Sequence, residues 1–508
     1  MNMRKIYSKK KLLNKISKLK SQKKKIVLCH GVFDLVHLGH INHFIAAKKF
    51  GDFLVVSITK DQYIKKSIKG TLFNEKQRLL QLSNFEIIDA VVLSEEASST
   101  DIIKLVRPNF YVKGEDYKKN KSDDTRKIFL EKELVEKFGG KIKYTNEKAF
   151  SSSNIINQKN LLYSEEQRKY LNLVKNKFIF NKFENELNSK KKINVTVIGE
   201  LIFDIYNFGD VVGKSGKEPH LVMSNKNSET IIGGSAAIAR NLSSFVNQVN
   251  LISPFGFEKK YKSLIDKQMQ KNINRIFFKP NKNFKSISKT RFIDISSNYK
   301  LFGSYVIPEI TDFKFNKEFI SKVKKIISKS DLLIISDYGH GFLNGELLNI
   351  INSSNIFKSL NAQINSSSKG FTNITKYSKI NSLIINETEL RQHLKDQTNN
   401  INFLAKKIMK ERRLDTLIVT SGQKGAKLFD KKKISVITCP AFSDYSVDKI
   451  GAGDSILSIS SFAIFSKFNY DIALLMGSLA AASTVKSIGN KAIVDKSSIL
   501  RTLKYMLK

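Results

Sequence analysis

Residues 31–40 read Gly-Val-Phe-Asp-Leu-Val-His-Leu-Gly-His. The run before them, Ile26-Val27-Leu28-Cys29, is short and apolar, the pattern of a buried strand. The segment after Gly31 therefore leaves the carboxyl edge of a sheet, where ligands bind in parallel α/β folds. His37 and His40, three apart across Gly39 at a helix start, can face one phosphate together, and the helix N-terminus adds its dipole and free N–H groups. Nucleotidyl transfer asks for this equipment: charge stabilised on the α-phosphate and on departing pyrophosphate, with little covalent help. A second stretch, 447–455, reads Val-Asp-Lys-Ile-Gly-Ala-Gly-Asp-Ser and leads into an apolar helix. Gly451 and Gly453 let the backbone approach a phosphate closely. Asp454 then stands where it could take a proton from a sugar hydroxyl attacking the γ-phosphate of ATP. Read alone, each stretch also has a plainer explanation: histidines satisfied by backbone groups at a helix start, and an aspartate N-cap behind glycine.

The elements that must hold these residues alternate. After the first strand the pattern predicts a helix over 40–50, a strand over 53–58, a helix over 75–82 and a strand over 90–93. From 193 the alternation resumes with Ile193-Asn194-Val195-Thr196-Val197-Ile198-Gly199, then strands over 332–336, 382–385 and 417–420. Strands alternating with helices argue for parallel sheets. Segments 205–229 and 289–307 have little helical period and are expected to form a small β-lid. The resulting division is a basic N-terminal helix (1–25) docking through Leu12, Leu13, Ile16 and Leu19, a first domain (26–158), a polar helical linker (159–192) and a second domain (193–508).

The company around His37 and His40 resembles the cytidylyltransferase-like nucleotidyltransferases, and more narrowly the heptose-phosphate adenylyltransferase domain. It comprises Lys69-Gly70, Asn74-Glu75-Lys76-Gln77-Arg78, Ile88-Asp89-Ala90-Val91-Val92, Arg107-Pro108, Tyr111-Val112-Lys113-Gly114-Glu115-Asp116-Tyr117 and Phe150-Ser151-Ser152-Ser153-Asn154-Ile155-Ile156, in that order. The resemblance implies a Rossmann-like parallel sheet in which His37, His40 and Lys69 are catalytic. Gly31, Phe33, Arg78, Lys113 and the serines Ser151, Ser152 and Ser153 would contact the nucleotide. Lys148 stands where related cytidylyltransferases commonly carry arginine, and this leaves ATP and CTP both open as the nucleotide. A class I aminoacyl-tRNA synthetase is disfavoured by the lack of a Lys-Met-Ser-Lys-Ser-like loop and by the small domain.

The second half resembles the ribokinase-like (PfkB) carbohydrate kinases over its full length. Gly233-Gly234-Ser235-Ala236-Ala237-Ile238-Ala239 matches the diglycine signature, Asn386-Glu387-Thr388-Glu389 the Asn-x-x-Glu motif, and Thr420-Ser421-Gly422 with Gly425 the nucleotide-contacting turn. Ser336-Asp337-Tyr338-Gly339-His340-Gly341 resembles the same region of heptose-7-phosphate kinases. This second resemblance implies an α/β sandwich with a β-lid and Asp454 as catalytic base. Thr420, Gly422, Gly425, Gly451, Ala452 and Gly453 would hold ATP. Asp204, Gly233, Gly234 and Asp337 would hold the sugar, and Asn386 with Glu389 would serve Mg2+. Two departures lie at the sugar end. Ala237 stands where many relatives carry asparagine, which removes a donor and an acceptor, and Gln363-Ile364-Asn365-Ser366 replaces the usual Asp-Pro-Lys region.

Together the halves resemble bifunctional enzymes of ADP-heptose synthesis for bacterial surface polysaccharide, a lipopolysaccharide precursor route, but in reversed order. The implied partners are a sugar phosphate and a nucleotide; a homodimer is left open. CTP-dependent activation of a glycerol- or ribitol-like phosphate is the alternative on the same folds. The net charge of +41 raises a third reading, a nucleic-acid-binding protein on degenerate enzyme folds. Lysines spread along the whole chain rather than clustering argue against it, and no nucleic-acid partner is expected. Two cysteines, Cys29 and Cys439, support neither a disulfide framework nor a four-ligand zinc site and fit a reducing compartment. The N-terminal stretch has no apolar core of signal-peptide length, and no run reaches membrane-spanning length, so a cytoplasmic location without membrane association is expected.

Overall fold

A computed structural model describes residues 5–64, 71–96, 98–114, 127–145, 163–308, 313–364, 373–432, 436–443 and 446–507. The chain divides into two compact units, Met1–Ser164 and Glu165–Lys508.

The first unit is a five-stranded parallel sheet. Its strands are β1 (Ile26–Gly31), β2 (Phe53–Thr59), β3 (Ala90–Ser94), β4 (Phe110–Gly114) and β5 (Lys141–Thr145), in the order β3-β2-β1-β4-β5. The order reverses at β1 and β4, so a crevice opens at their carboxyl ends. Strands buried on both faces read as near-continuous apolar runs, as Ile26–Cys29 and Phe53–Val56 do. Apolar cores cover both faces of the sheet. The helix Lys9–Ser21 contributes Leu12 and Ile16 to one of them and keeps its lysines outward. Leu13, expected on the docking face, is exposed.

The second unit carries a nine-stranded sheet and a four-stranded one. The large sheet uses β6 (Asn194–Gly199), β9 (Gln248–Pro254), β10 (Ile273–Phe278), β13 (Leu332–Asp337), β14 (Phe357–Ala362), β15 (Ser382–Asn386), β16 (Thr416–Thr420), β17 (Ala426–Asp430) and β18 (Ile437–Cys439). It runs β10-β9-β6-β13-β14-β15-β16-β17-β18, parallel except for the last two pairings. The small sheet, order β12-β11-β7-β8, is built from β7 (Leu201–Lys214), β8 (Leu221–Gly234), β11 (Ser288–Asp294) and β12 (Lys300–Val306). The α/β class, the parallel sheets and the small β-lid expected from periodicity are thus present, the lid as this four-stranded sheet.

The segment expected as a linker has a different role. Within it, helices Glu165–Lys175 and Phe180–Ser189 bury Tyr170, Leu171, Val174, Phe183 and Leu187. Tyr170 donates to the carbonyl of Asp471 at 2.7 Å, and the Phe183 ring meets that of Phe468 at 5.1 Å. The physical reason is a buried stripe at helical spacing, Tyr170, Leu171 and Val174 with Gln167, hidden in a polar composition. These helices belong to the second unit.

Candidate active sites

In the first unit, β1 ends at Gly31 and the chain passes Phe33, held at φ +50, before the helix Leu38–Lys48 begins. Positive φ is costly for a phenylalanine and persists where the surroundings over-determine it. The Phe33 ring is buried, meets the His40 ring edge-on at 5.3 Å and packs on Phe44 at 5.2 Å. The ring therefore supports the histidine from the core. His37 is the N-cap of the helix, and its ring stacks on His40 at 4.0 Å. The His37 backbone N–H points to His40 Nδ1 at 3.4 Å. An acceptor Nδ1 leaves the proton of a neutral ring on Nε2, a donor suited to a phosphate oxygen. Burial lowers the His37 pKa. The neutral form of His37 is thus favoured.

Arg78 is not placed for ligand contact. Its side chain is fully buried, and its guanidinium donates to the carbonyls of Phe73, Val32 and Thr59 and to Asp61 Oδ1, at 3.1, 2.6, 2.9 and 2.5 Å. The expectation of a nucleotide contact is corrected: the helix Glu75–Ser83 turns this side chain inward, where it clamps the loops after β1 and β2. Lys113, at the end of β4 beside β1, is also buried and lies 3.3 Å from Glu131, which also accepts from Tyr111 Oη at 3.0 Å. Its charge stands at the crevice but is shared with that carboxylate. Lys69, Ser151, Ser152 and Ser153 lie outside the described residues. Sequence reasoning missed Asp34, whose carboxylate accepts from the N–H groups of Leu72 and Phe73, both at 2.9 Å. Its place inside the motif at 31–40 was the available signal.

In the second unit, the carboxyl ends of β6, β13, β15 and β16 share one edge. Asp204 on β7 is buried and paired with Arg291 on β11, Nη1 to Oδ1 at 2.7 Å. Lys289 is its register partner on β11. Burial raises the Asp204 pKa against the pull of Arg291, and burial lowers that of Lys289. Gly233 lies opposite Ile202 on the β7–β8 ladder, and a Cβ added there would come within 2.3 Å of Asp204 Oδ2. Gly234, at φ +62, then caps the helix Ser235–Leu242.

The glycine loop at 451–453 is built as expected. Gly451, at φ +86, is the N-cap of the helix Ala452–Phe465, and any Cβ there would collide with Asn490 Oδ1. Asp448 braces the loop. It accepts from Tyr206 Oη at 2.9 Å, from the Gly489 N–H at 3.1 Å and from Lys300 Nζ at 2.7 Å. Asp454 accepts from Tyr338 Oη at 2.5 Å. Burial, with repulsion from Asp204, pushes its carboxyl up to about 6. The structure thus brings Asp204, Gly233, Gly451 and Asp454 together around Asn490 and Tyr338.

Asp337, expected to hold the sugar, is otherwise engaged. It is 1% exposed and accepts from Tyr377 Oη, Lys376 Nζ and the Gly339 N–H at 2.7, 2.7 and 2.9 Å. Both its oxygens are used in fixing the loop after β13, so the assignment is corrected to a structural one.

On the nucleotide side, Thr420 ends β16, and Gly422 (φ +58) and Gly425 (φ +86) shape the turn into β17. Asn386 and Glu389 form a capping box at the start of the helix Glu387–Leu394: Asn386 Oδ1 accepts from the Glu389 N–H, and Glu389 Oε2 from the Asn386 N–H. The N–H of Ile364 also donates to Glu389, and burial pushes this carboxyl up to about 7. With its oxygens committed to backbone donors and its charge suppressed, the pair does not fit as direct Mg2+ ligands. Among the described residues no group of three or more His, Cys, Asp or Glu is disposed to hold a metal. The residues missed from sequence are Lys289, Arg291, Glu200 and Asn490; their roles follow from strand pairing and turns that no local pattern encodes.

A Rossmann-like unit with paired helix-start histidines and a ribokinase-like unit with an aspartate behind a glycine N-cap define a two-part α/β phosphate-chemistry protein. Residues 192–496 match the pfkB family carbohydrate kinases and residues 28–159 the cytidylyltransferase-like family. The chain belongs to the pfkB carbohydrate kinase family. It is 28% identical over 309 residues to the bifunctional protein HldE of Aliarcobacter butzleri, covering 59% of this chain and 62% of that protein. To the HldE of Campylobacter fetus it is 27% identical over 301 residues, covering 59% and 64%. To that of Geobacter sulfurreducens it is 34% identical over 153 residues, 29% of each. The chain thus aligns with less than two thirds of the length of these relatives. The order of its two parts is the reverse of theirs.

Proposed function

We propose that the chain is a bifunctional enzyme: its second unit phosphorylates a sugar phosphate with ATP, and its first transfers a nucleotidyl group to a sugar phosphate to give an NDP-sugar. The observation that carries the kinase half is Asp454, a carboxylate with a pKa near 6 at a helix N-terminus braced by Gly451 and Asp448. Asp454 takes the proton of the attacking sugar hydroxyl. The new O–P bond forms at the γ-phosphorus, the bond from that phosphorus to the bridging oxygen breaks, and ADP leaves with the electron pair. The helix start and the backbone of Gly451, Ala452 and Gly453 face the transferring phosphate. Asp204 orients the sugar. Lys289, buried and without an ion pair among the described residues, and Arg291 supply positive charge suited to an acceptor that already carries phosphate.

In the first unit, His37 and His40 hold the α-phosphate as the sugar phosphate attacks and pyrophosphate departs. ATP and CTP are both candidates there, and an ADP-heptose-like product for surface polysaccharide is the reading favoured by the bifunctional relatives. Magnesium belongs to the proposal only as a companion of the nucleotide phosphates. No helix among the described residues is long and apolar enough to cross a membrane, in keeping with a cytoplasmic site of action. Val212, Leu221, Phe302 and Val306, exposed on the four-stranded sheet, support a homodimer. The test is a turnover assay of the purified protein with ATP or CTP against a panel of sugars and sugar phosphates. ADP formation with one acceptor and pyrophosphate release with a sugar phosphate are expected; neither product with any pair would overturn the proposal.

A further inference from the structure

Tyr338 sits in the turn that follows β13 and is 5% exposed. Its phenol donates to Asp454 Oδ1 at 2.5 Å, across 116 residues of sequence. Its backbone is fixed as firmly as its side chain. The Tyr338 N–H donates to Glu200 Oε2 at 3.0 Å, and the His340 N–H to Glu200 Oε1 at 3.3 Å. Glycines 339 and 341, at φ +72 and +89, allow the chain to coil around that carboxylate. Asp337 closes the turn by accepting from the Gly339 N–H at 2.9 Å. Glu200 is itself fully buried, and its position directly after β6 is set by the sheet. A rigid chain of contacts therefore runs from the sheet through Glu200 to the Tyr338 hydroxyl and ends on the carboxylate that the kinase reading makes the base.

We infer that Tyr338 is a positioning residue for phosphoryl transfer: its hydroxyl fixes the Asp454 carboxylate in one orientation and holds it in the charged, proton-accepting form. The inference rests on the kinase reading of Asp454. The groups facing Asp454 are Asp204 on β7, Lys289 on β11, Tyr338 and the Asn490 amide, with Arg291 behind Asp204. Burial and Asp204 favour the protonated acid, whereas Tyr338 and Lys289 favour the carboxylate. A hydrogen bond to the charged form of an acid lowers its pKa, so losing the phenol raises it. With Tyr338 holding Oδ1 and the Asn490 amide also bonded to the carboxylate, the remaining lone pairs of Asp454 receive the proton of the sugar hydroxyl.

The test compares wild type with Tyr338→Phe in the full chain, reading the Asp454 carboxyl by 13C NMR with labelled aspartate, its resonance assigned by its loss in Asp454→Asn. In Tyr338→Phe the titration midpoint should move up by about one pH unit. The acid limb of kcat should move with it, costing about tenfold near pH 5.5, with KM for ATP unchanged. Site-specific 3-fluorotyrosine at 338, a stronger donor of nearly the same shape, should move the midpoint down, so a poorly folding Tyr338→Phe leaves the question answerable. A midpoint indifferent to both replacements would overturn the inference. If Asp454→Asn retains full kinase activity, the catalytic reading of Asp454 fails instead, while the NMR midpoints still report on the Tyr338 contact.

Discussion

Asp454 needs its proton removed before it can act, and with its carboxyl near 6 the working form gains population as pH rises. Phosphoryl transfer should therefore climb through about pH 6 and level off above it, and Asp454→Asn should lose about 10²–10⁴-fold, the range of a general base; both are read from ADP release. A rate flat from pH 5 to 8 would contradict the assignment. Arg78 calls for a different measurement. Arg78→Met strips four hydrogen bonds of a fully buried guanidinium and removes one donor from each of the Phe73, Val32 and Thr59 carbonyls and from Asp61, which should cost about 3 kcal/mol of unfolding free energy in urea. A nucleotide-contacting arginine would instead raise KM with stability unchanged. His37, His40, Gly451 and Asp454 could be read from the chain because each set is local, a few residues around one helix start. Arg78 and Asp337 were misread because residue type suits phosphate or sugar equally well as it suits a buried clamp, and only the fold decides between them. Arg291 and Tyr338 meet their aspartates across 87 and 116 residues, beyond the reach of any local pattern.

Periodicity located β1, β2, β3, β6, β13, β15 and β16 to within a residue or two, since strands buried on both faces are written as largely apolar runs, whereas β4, β5, β9, β10, β14, β17 and β18 were not placed by it. The lid was legible for the converse reason, its lack of helical period. The helices Glu165–Lys175 and Phe180–Ser189 were not, because lysine, asparagine and glutamate on their outer faces mask a narrow apolar stripe. Their packing carries a prediction. Phe183→Ala removes a ring seated between Phe178 and Phe468 and should destabilise the second unit by about 3–5 kcal/mol in a denaturant titration. A fragment beginning at residue 165 should fold, whereas one beginning at 193 would bare the surface under Tyr170 and Phe183 and should aggregate, which light scattering would detect. Equal behaviour of the two fragments would mean that the helices are dispensable.

Across the whole molecule the net charge of +41 is carried by lysines scattered over both units, including the outer face of the N-terminal helix. Duplex DNA should accordingly bind no tighter than the non-specific range of about 10⁻⁴–10⁻⁶ M at physiological salt, and sub-micromolar binding in a fluorescence anisotropy titration would revive the nucleic-acid reading. The two sites lie in separate compact units, each with its own sheet and core. Joining them in one chain raises the local concentration of each unit near the other. The reversed order of the halves leaves the chemistry of each unchanged, since every residue placed at a site comes from its own unit. The most direct measurement monitors two products in parallel from one preparation by 31P NMR: ADP with a sugar-phosphate acceptor, and pyrophosphate with a sugar 1-phosphate, in wild type, Asp454→Asn and His40→Ala. The account requires a crossed result, with ADP formation lost only in Asp454→Asn and pyrophosphate release lost only in His40→Ala. Folded variants that lose both activities together, or neither, would contradict it.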